Sequence, residues 1–588
     1  MTTNKLAGLI ALLVRNRRTV VSVVALLVAL AGWAAFDETL ERAKPLSVSM
    51  PAGAILYIES PDFGALLHDW SYSTEKQAWL QSDNYEVFSR SRLFGRLGEA
   101  QQEYAAAASL PADMQFLTQI AGKESALGLY DIGALEFLYV THMPSAQSAQ
   151  TALLKSRGKF EARKSEDATF YVRTTGNDQQ VGTPRTVAFA TYGDCLLLAT
   201  REDLIAKALA LMQNRKEEAL SGEAWFVAAT AAAQKPGDLR MTMDLSRLVR
   251  SPYFRSYWVQ QNITEIGHYR AAISDLYRSG DEYREERVLL PKSIDSATAP
   301  QARLARIAAL VPAGSGFYRA EAAPAVDEMI ATLDSRLLSR MAADYKNRYE
   351  APQAAEAPPA AGNEDDLETR IDEPPVAAMP KGAEFGALRR VLESQQPLSM
   401  LVTDASAAKS DDIFVSYHAA VVLESDTPWD AQAFGAALKD ALRLKLTTGD
   451  LGLTWQQRDS YFELDGMQPL YFAVVSKFCV VANDATILSE VLKKVGIGAA
   501  QEGQPMLRES GFNHEYEREN FARATTLIDL DGAFGRDKGT DTTPRFFSGN
   551  IRSLSDTFAR MKSEEIREYW TDGVLHQSVV YKWKPRGM

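Results

Sequence analysis

The chain has 588 residues, of which 46% are hydrophobic and 24% charged, with 36 glycines and 24 prolines. This composition excludes a collagenous, wholly disordered or multi-spanning protein, and the length suggests about three or four globular units. The net charge of -12 argues against a nucleic-acid binder, which needs clustered cations.

The first predicted element is an apolar helix over residues 19–36, which contains no charged side chain. Eighteen helical residues span about 27 Å, enough to cross a bilayer. Arg15, Arg17 and Arg18 precede this segment, and acidic residues follow it. Cations favour the cytoplasmic flank, so we predict a basic, interfacial cytoplasmic segment over 1–18, a transmembrane helix, and the rest of the chain outside.

Two other interpretations of this segment stay open at the level of sequence. Gly32-Trp33-Ala34 resembles a signal-peptidase site, which would make the segment a cleaved signal peptide. A buried core helix is the other alternative, although the flanking cations fit it poorly. No second apolar run of this length follows, so a single-pass protein is predicted.

Short segments recur along the chain in the same order, which indicates a tandem duplication. The pairs are 50–57 with 311–318, 144–154 with 428–438, 199–204 with 482–487, 243–245 with 528–530, and Pro252 and Phe254 with Pro544 and Phe546. We therefore predict a first repeat over 50–300 and a second over 301–588.

Each predicted repeat contains an insertion of its own. In the first repeat, the sequence pattern of residues 84–121 predicts a helical insertion. In the second, residues 350–382 contain six prolines, eight acidic residues and no aromatic residue, which predicts a disordered loop. That loop could be an acidic tether for a partner or a tolerated surface insertion, and without the duplication it would be an interdomain linker.

The period of the apolar residues predicts an α+β fold of mainly antiparallel sheet, with helices covering one face of each sheet. In each repeat a hairpin leads directly into a helix. The predicted strands are 54–59, 127–131, 135–141, 187–199 (a hairpin), 239–243, 413–423, 461–464, 470–482 (a hairpin) and 525–528. The predicted helices after the hairpins are 202–213 and 486–494.

A search for reactive motifs assigns no catalytic, cofactor or metal residue. The six histidines are scattered singly, and no phosphate-binding or nucleotide-binding glycine loop occurs. Ser73 to Lys76, followed by Ser82-Asp83-Asn84, resembles motifs of penicillin-recognising enzymes, but the two lie too close together in sequence. The expectation is a protein that is not an enzyme, with no cofactor and no nucleotide.

One aromatic-rich segment offers a candidate ligand or partner surface. Residues 251–265 place aromatic side chains four apart, which is typical of a helix that packs on a sheet but also suits a pocket wall. The candidate residues are Tyr257, Trp258, Gln260, Gln261 and Asn262.

Other polar positions are assigned structural roles. Asp244 and Asp529 occupy matching places in the two repeats and are predicted to cap helices. The charged run 281–287 is predicted to be a solvated face. The two cysteines are too few to form a disulfide framework. In the alignment of the two repeats, Cys195 and Cys479 lie one residue out of register. They are predicted to be free, buried thiols, with a disulfide between the repeats as the alternative.

The Met50 to Tyr57 opening, the paired hairpin–helix units and the cationic N-terminal anchor together resemble an uncharacterised family of bacterial single-pass envelope proteins. The resemblance implies a bacterial inner-membrane location with the bulk of the chain periplasmic. It supplies no catalytic residue.

The leading hypothesis is a membrane-anchored, non-catalytic extracytoplasmic protein that binds a protein or cell-envelope partner, held to the inner membrane through residues 19–36. A periplasmic carrier or chaperone for an apolar or lipid ligand is the first alternative. A hydrolase whose site is assembled from distant residues is the second.

Overall fold

The computed structural model describes residues 45–584 with several internal gaps. The gaps are 83–84, 86–87, 91, 111–114, 176–184, 253, 255–262, 264–265, 294–301, 339–384, 405–417, 447–452, 465–468, 497–504 and 518–559. The predicted membrane helix (19–36) and acidic loop (350–382) lie outside the described residues. Within the described part, no helix is both long and apolar enough to span a bilayer.

Within the described residues, twenty strands form a single sheet. They are β1 (Leu56–Ser60), β2 (Ser125–Asp131), β3 (Glu136–His142), β4 (Glu161–Ser165), β5 (Ala168–Thr174), β6 (Thr186–Tyr192), β7 (Cys195–Ala199), β8 (Leu239–Asp244), β9 (Tyr269–Ser279), β10 (Glu282–Pro291), β11 (Ser315–Glu321), β12 (Leu398–Asp404), β13 (Ala419–Glu424), β14 (Trp455–Gln457), β15 (Phe462–Leu464), β16 (Leu470–Val475), β17 (Phe478–Ala482), β18 (Arg508–Phe512), β19 (Met561–Thr571) and β20 (Val574–Trp583).

All strand pairs are antiparallel, and the strand order is the same in the two halves of the sheet. The first half runs β4-β5-β6-β7-β3-β2-β1-β8-β9-β10. The second runs β14-β15-β16-β17-β13-β12-β11-β18-β19-β20. Adding ten to each strand number converts the first order into the second, and β10 pairs with β20 where the halves meet.

The junction between the halves has local two-fold symmetry in its register. Strands β9 and β10 correspond to β19 and β20, and the residue pair Glu286–Ser578 joins equivalent positions of β10 and β20. The Ser578 hydroxyl also donates a hydrogen bond of 2.8 Å to the Glu286 carboxylate. We call these four central strands the seam.

Helices fill the connections between the strands. They are α1 (Phe63–Ser71), α2 (Thr74–Leu80), α3 (Arg92–Ala108), α4 (Gln115–Ile120), α5 (Ser145–Ser148), α6 (Ala152–Lys155), α7 (Glu202–Met212), α8 (Ala224–Ala232), α9 (Leu245–Leu248), α10 (Leu304–Ala308), α11 (Val326–Leu333) with a π-helical turn (Asp334–Leu338), α12 (Gly386–Gln395), α13 (Ala431–Leu446) and α14 (Ala485–Gly496).

Helices cover both faces of each half, which corrects the prediction of one covered face. Leu197 on β7 packs with α7 on the side we call face A, whereas Leu196 and Leu198 pack with α3, α4 and α6 on face B. In the second half, Val422 packs with α10 and α14, and Val421 packs with α11, α12 and α13. Continuous apolar strands such as β7 and β13 are suited to burial on both faces, and this burial defines the core.

The structure gives further outcomes for the predicted elements. The α+β class, the antiparallel sheet and the two hairpin–helix units are confirmed. The first helical insertion begins earlier than predicted, at Phe63 rather than residue 84. The charged run 281–287 starts in the β9–β10 turn and forms most of β10, and none of its residues is buried, as expected for a solvated face. The predicted strand at 525–528 lies outside the described residues.

The predicted pairing of Asp244 with Asp529 is wrong in its second member. Asp244 does cap α9, since its carboxylate accepts a 3.1 Å hydrogen bond from the Arg247 backbone N–H. Strand pairing places Asn513 at the corresponding position of the second half. Asn513 makes the same cap, accepting from the Tyr516 N–H at 3.2 Å, and Asp529 lies outside the described residues.

Candidate functional site

The candidate surface predicted from the aromatic-rich segment cannot be placed. Tyr257, Trp258, Gln260, Gln261 and Asn262 all lie outside the described residues. Their neighbours on either side are in contact with the protein: Phe254 packs in the small cluster around α9, and Ile263 is 4% exposed.

A surface missed by sequence reasoning lies on α1 and α2. Trp70 is 51% exposed, Tyr72 is 74% exposed and Leu80 is 45% exposed. Helix α1 buries none of its residues, although its sequence is largely apolar. Large exposed apolar side chains close together in one segment are typical of interaction sites. We call Trp70, Tyr72 and Leu80 the insertion surface.

Two polar contacts hold the insertion surface beside the seam. Asp69 on α1 forms an ion pair of 3.1 Å with Arg278 at the end of β9. Thr74 at the start of α2 accepts a 3.0 Å hydrogen bond from Arg560, which immediately precedes β19. These contacts attach α1 and α2 to the same end of the four central strands, so the insertion surface lies next to the junction of the halves.

An aromatic cluster continues the insertion beyond α2. Trp79 lies 6.2 Å from the rings of both Tyr85 and Phe88, and Phe94 lies 5.4 Å from Phe88, measured between ring centroids. The Trp79–Tyr85 and Phe88–Phe94 pairs are edge-to-face, and such pairs contribute about 0.5–1.5 kcal/mol each beyond area burial. The cluster therefore gives the insertion a small core of its own.

A chain of hydrogen bonds and ion pairs crosses face B of the seam. It begins where Ser274 and Arg287 both donate to Glu285, each at 2.6 Å. Arg287 also donates to Gln577 at 2.6 Å, and this bond crosses from β10 to β20. The chain continues through Gln577 to Glu568 and then through Arg508 to Glu321.

This network pairs the Glu285 carboxylate with cationic and hydroxyl donors. Burial acts to raise the pKa of Glu285, but hydrogen bonds from Arg287 and Ser274 outweigh it and hold that pKa below its ordinary value. Nearby, burial raises the pKa of Glu564, with Arg287 opposing the shift. The paired groups stabilise the seam across the junction of the halves.

A thiol, an imidazole and a carboxylate meet on face A of the first half. Cys195 Sγ lies 3.5 Å from His142 Nδ1, and His142 Nε2 lies 3.7 Å from Glu124 Oε2. Burial, together with the carboxylates of Asp194 and Glu124, raises the pKa of the Cys195 thiol to about 11. Nothing in the sequence predicts this group, because the cross-strand pairing of β3 with β7 brings His142 and Cys195 together.

The equivalent cross-strand positions of the second half hold different chemistry. Glu424 replaces His142 and Phe478 replaces Cys195. The Glu424 side chain is fully buried and forms an ion pair with Arg306 of α10. Both cysteines are free as predicted; Cys479 is buried, but Cys195 is half-buried.

Comparison with known proteins finds little that resembles this chain. No protein-family model matches it, and no curated protein matches it. Crystal forms I and III of TP0453 both align with a TM-score of 0.23 and 11% identity. Each alignment covers 43% of this chain, and they cover 81% of the form I chain and 83% of the form III chain. Crystal form IV aligns with a TM-score of 0.20. Similarity at this level supports no conclusion about fold or function.

Proposed function

We propose that this protein is a membrane-anchored, non-catalytic extracytoplasmic protein that binds a protein partner through the insertion surface. Exposure of Trp70 on α1, Tyr72 directly after α1 and Leu80 at the end of α2 is the observation that carries the proposal. The apolar segment 19–36 with its cationic flank supports the anchor, and it favours a location of the remaining chain on the far side of the membrane.

The form of the sheet supports binding across a broad surface. We infer that the two halves with one strand order are copies of one ancestral module, joined edge to edge at the seam. Trp and Tyr are the residue types most enriched among the side chains that dominate binding energy at protein interfaces. Helices α1 and α2 present such residues beside the seam, where both halves are within reach of one partner.

The charges around the insertion surface favour a protein partner over a lipid surface. Residues 61–82 contain three acidic side chains, Asp62, Asp69 and Glu75, and one basic side chain, Lys76. Helices that lie on a bilayer usually carry Lys and Arg on their polar face, because anionic lipids attract cations. A partner with a basic rim around an apolar centre would match this surface better.

Site-specific photo-cross-linking in cells producing the full chain tests the proposal. A photoreactive residue replacing Tyr72 should form one discrete protein adduct. Trp70→Ala and Leu80→Ala in that background should each reduce the yield about tenfold, the loss expected for an interface hot spot. Both residues are about half-exposed, so these changes should leave the thermal midpoint nearly unchanged.

The matched control replaces Val227 on α8, which is 49% exposed and belongs to an element outside the insertion. Formation of the same adduct from position 227 would contradict the proposal. So would an adduct yield at position 72 that is unchanged by Trp70→Ala and Leu80→Ala. Adducts with lipid alone would instead support the lipid-carrier alternative.

A further inference from the structure

The Cys195 group has the parts of a base-assisted thiol. The Glu124 carboxylate lies 3.7 Å from His142 Nε2, beyond hydrogen-bond distance, and its negative charge there favours the tautomer that carries its proton on Nε2. The lone pair of His142 Nδ1 then faces Cys195 Sγ at 3.5 Å, within the range of a hydrogen bond to sulfur. A nucleophile, a base and a third group that orients the base are the features that mark an activated side chain.

We propose that Cys195 is a site of thiol–disulfide exchange, with His142 as its base and Glu124 as a positioning residue, and that it captures a disulfide-bearing partner as a mixed disulfide. This inference rests on the proposed function, because an extracytoplasmic location is where protein and small-molecule disulfides persist.

The exchange balances without any further oxidant. His142 Nδ1 takes the proton from Cys195 Sγ, the sulfur attacks one sulfur of the disulfide, and a new S–S bond forms as the old one breaks. The departing thiolate takes the proton back from the imidazolium. Cys195 is oxidised and the departing sulfur is reduced, so the partner disulfide supplies the oxidising equivalent.

The base is necessary because the thiol holds its proton. With a pKa of about 11, only about one Cys195 in 10⁴ would be a thiolate at pH 7. The thiolate is the species that attacks disulfides. A neighbouring base that removes the proton during attack accelerates a reaction typically 10²–10⁴-fold.

Exposure separates Cys195 from the second cysteine. Cys195 is half-buried at the start of β7, opposite Tyr192, which is 36% exposed. Cys479 is fully buried among apolar side chains, and burial raises the pKa of its thiol well above the ordinary value. The folded chain therefore contains its own unreactive control thiol.

The test incubates the reduced, full-length protein with glutathione disulfide and follows the adduct by intact mass and peptide mapping. One glutathionyl group should appear on Cys195, disappear in Cys195→Ser and persist in Cys479→Ser. His142→Gln should slow the exchange at least tenfold at pH 7, and Glu124→Gln should slow it less. Between pH 7 and 9 the His142→Gln rate should rise tenfold per unit, as the thiolate fraction does, while the parent rate rises less steeply.

Equal rates and equal pH slopes for the parent and His142→Gln would overturn the proposal. So would the absence of an adduct on the folded protein when denatured protein reacts normally. In denaturant, the rate of exchange at Cys195 should be the same for the parent, His142→Gln and Glu124→Gln, which shows that any difference in the folded protein comes from the folded site. Tyr72 cross-linking in the Cys195→Ser background tests partner binding independently, so either idea can fail alone.

Discussion

At the scale of single residues, corresponding positions of the two halves preserve an interaction while exchanging its charges. Arg240 on β8 pairs directly with Asp275 on β9 in the first half. The equivalent positions on β18 and β19 hold Glu509 and Arg567, which form an ion pair of 3.5 Å. Each half therefore keeps one cation and one anion at this place, in opposite order.

The two pairs differ in burial, and this predicts different effects of substitution. Arg240 and Asp275 have side chains 6% and 3% exposed and share two 2.7 Å hydrogen bonds, whereas Arg567 is 53% exposed. Arg240→Ala should destabilise the protein by about 3–5 kcal/mol because it leaves a buried carboxylate unpaired. Arg567→Ala should cost less than Arg240→Ala, because only Glu509 of this second pair, 10% exposed, is buried. Denaturant midpoints of the full chain measure both.

A double substitution separates the cost of an unpaired charge from the value of the pair itself. Arg240→Met with Asp275→Leu removes both charges and should recover most of the stability lost in Arg240→Ala. If the double variant is as unstable as the single one, packing and the bond from Arg240 to the Gln234 carbonyl account for the loss instead.

At the scale of elements, the apolar strands could be predicted from the sequence and the strands of the seam could not. The β6–β7 and β16–β17 hairpins are nearly continuous apolar runs, which have few alternatives to a buried strand. Strands β10 and β20 carry polar or charged side chains on both faces, so they lack the alternation that marks a half-buried strand. Their strand form depends on pairing with neighbouring strands, β10 with β9 and β20, and β20 with β19 and β10.

The helices of the insertion depend on local caps, and this predicts independent fraying. The Asp62 carboxylate accepts from the Ala65 N–H at 2.9 Å, and the Ser73 hydroxyl accepts from the Lys76 N–H at 3.1 Å. Each cap contributes about 1 kcal/mol. Asp62→Ala with Ser73→Ala should speed amide exchange over residues 63–80, with little change in the thermal midpoint, because α1 buries no residue.

A matched cap on a buried helix provides the control. The Asp484 carboxylate accepts from the Thr486 and Ile487 N–H groups at the start of α14, which buries Ile487, Leu488 and Val491. Asp484→Ala should therefore lower the global midpoint. Loss of global stability in the Asp62 and Ser73 variant as well would show that α1 and α2 belong to the main cooperative unit.

At the scale of the whole molecule, repeated sequence segments indicate two related halves, but they do not reveal how the halves join. The matching segments, such as 199–204 with 482–487, mark equivalent elements within each half. The junction is formed by β10 and β20, whose sequences share few residues. The sequence also does not predict the thiol, imidazole and carboxylate cluster of the first half. Glu124, His142 and Cys195 are separated in sequence and meet only through strand pairing.

The junction predicts that the halves remain together after the chain is cut between them. Eight residue pairs join β10 to β20, from Glu282–Lys582 to Leu289–Leu575. The Arg287–Gln577 and Ser578–Glu286 hydrogen bonds add side-chain contacts across the same line. A protease site introduced within residues 294–300 and cleaved under native conditions should leave two fragments that elute as one species. Fragments that separate without denaturant would show that the covalent connection, rather than the pairing of β10 with β20, holds the halves together.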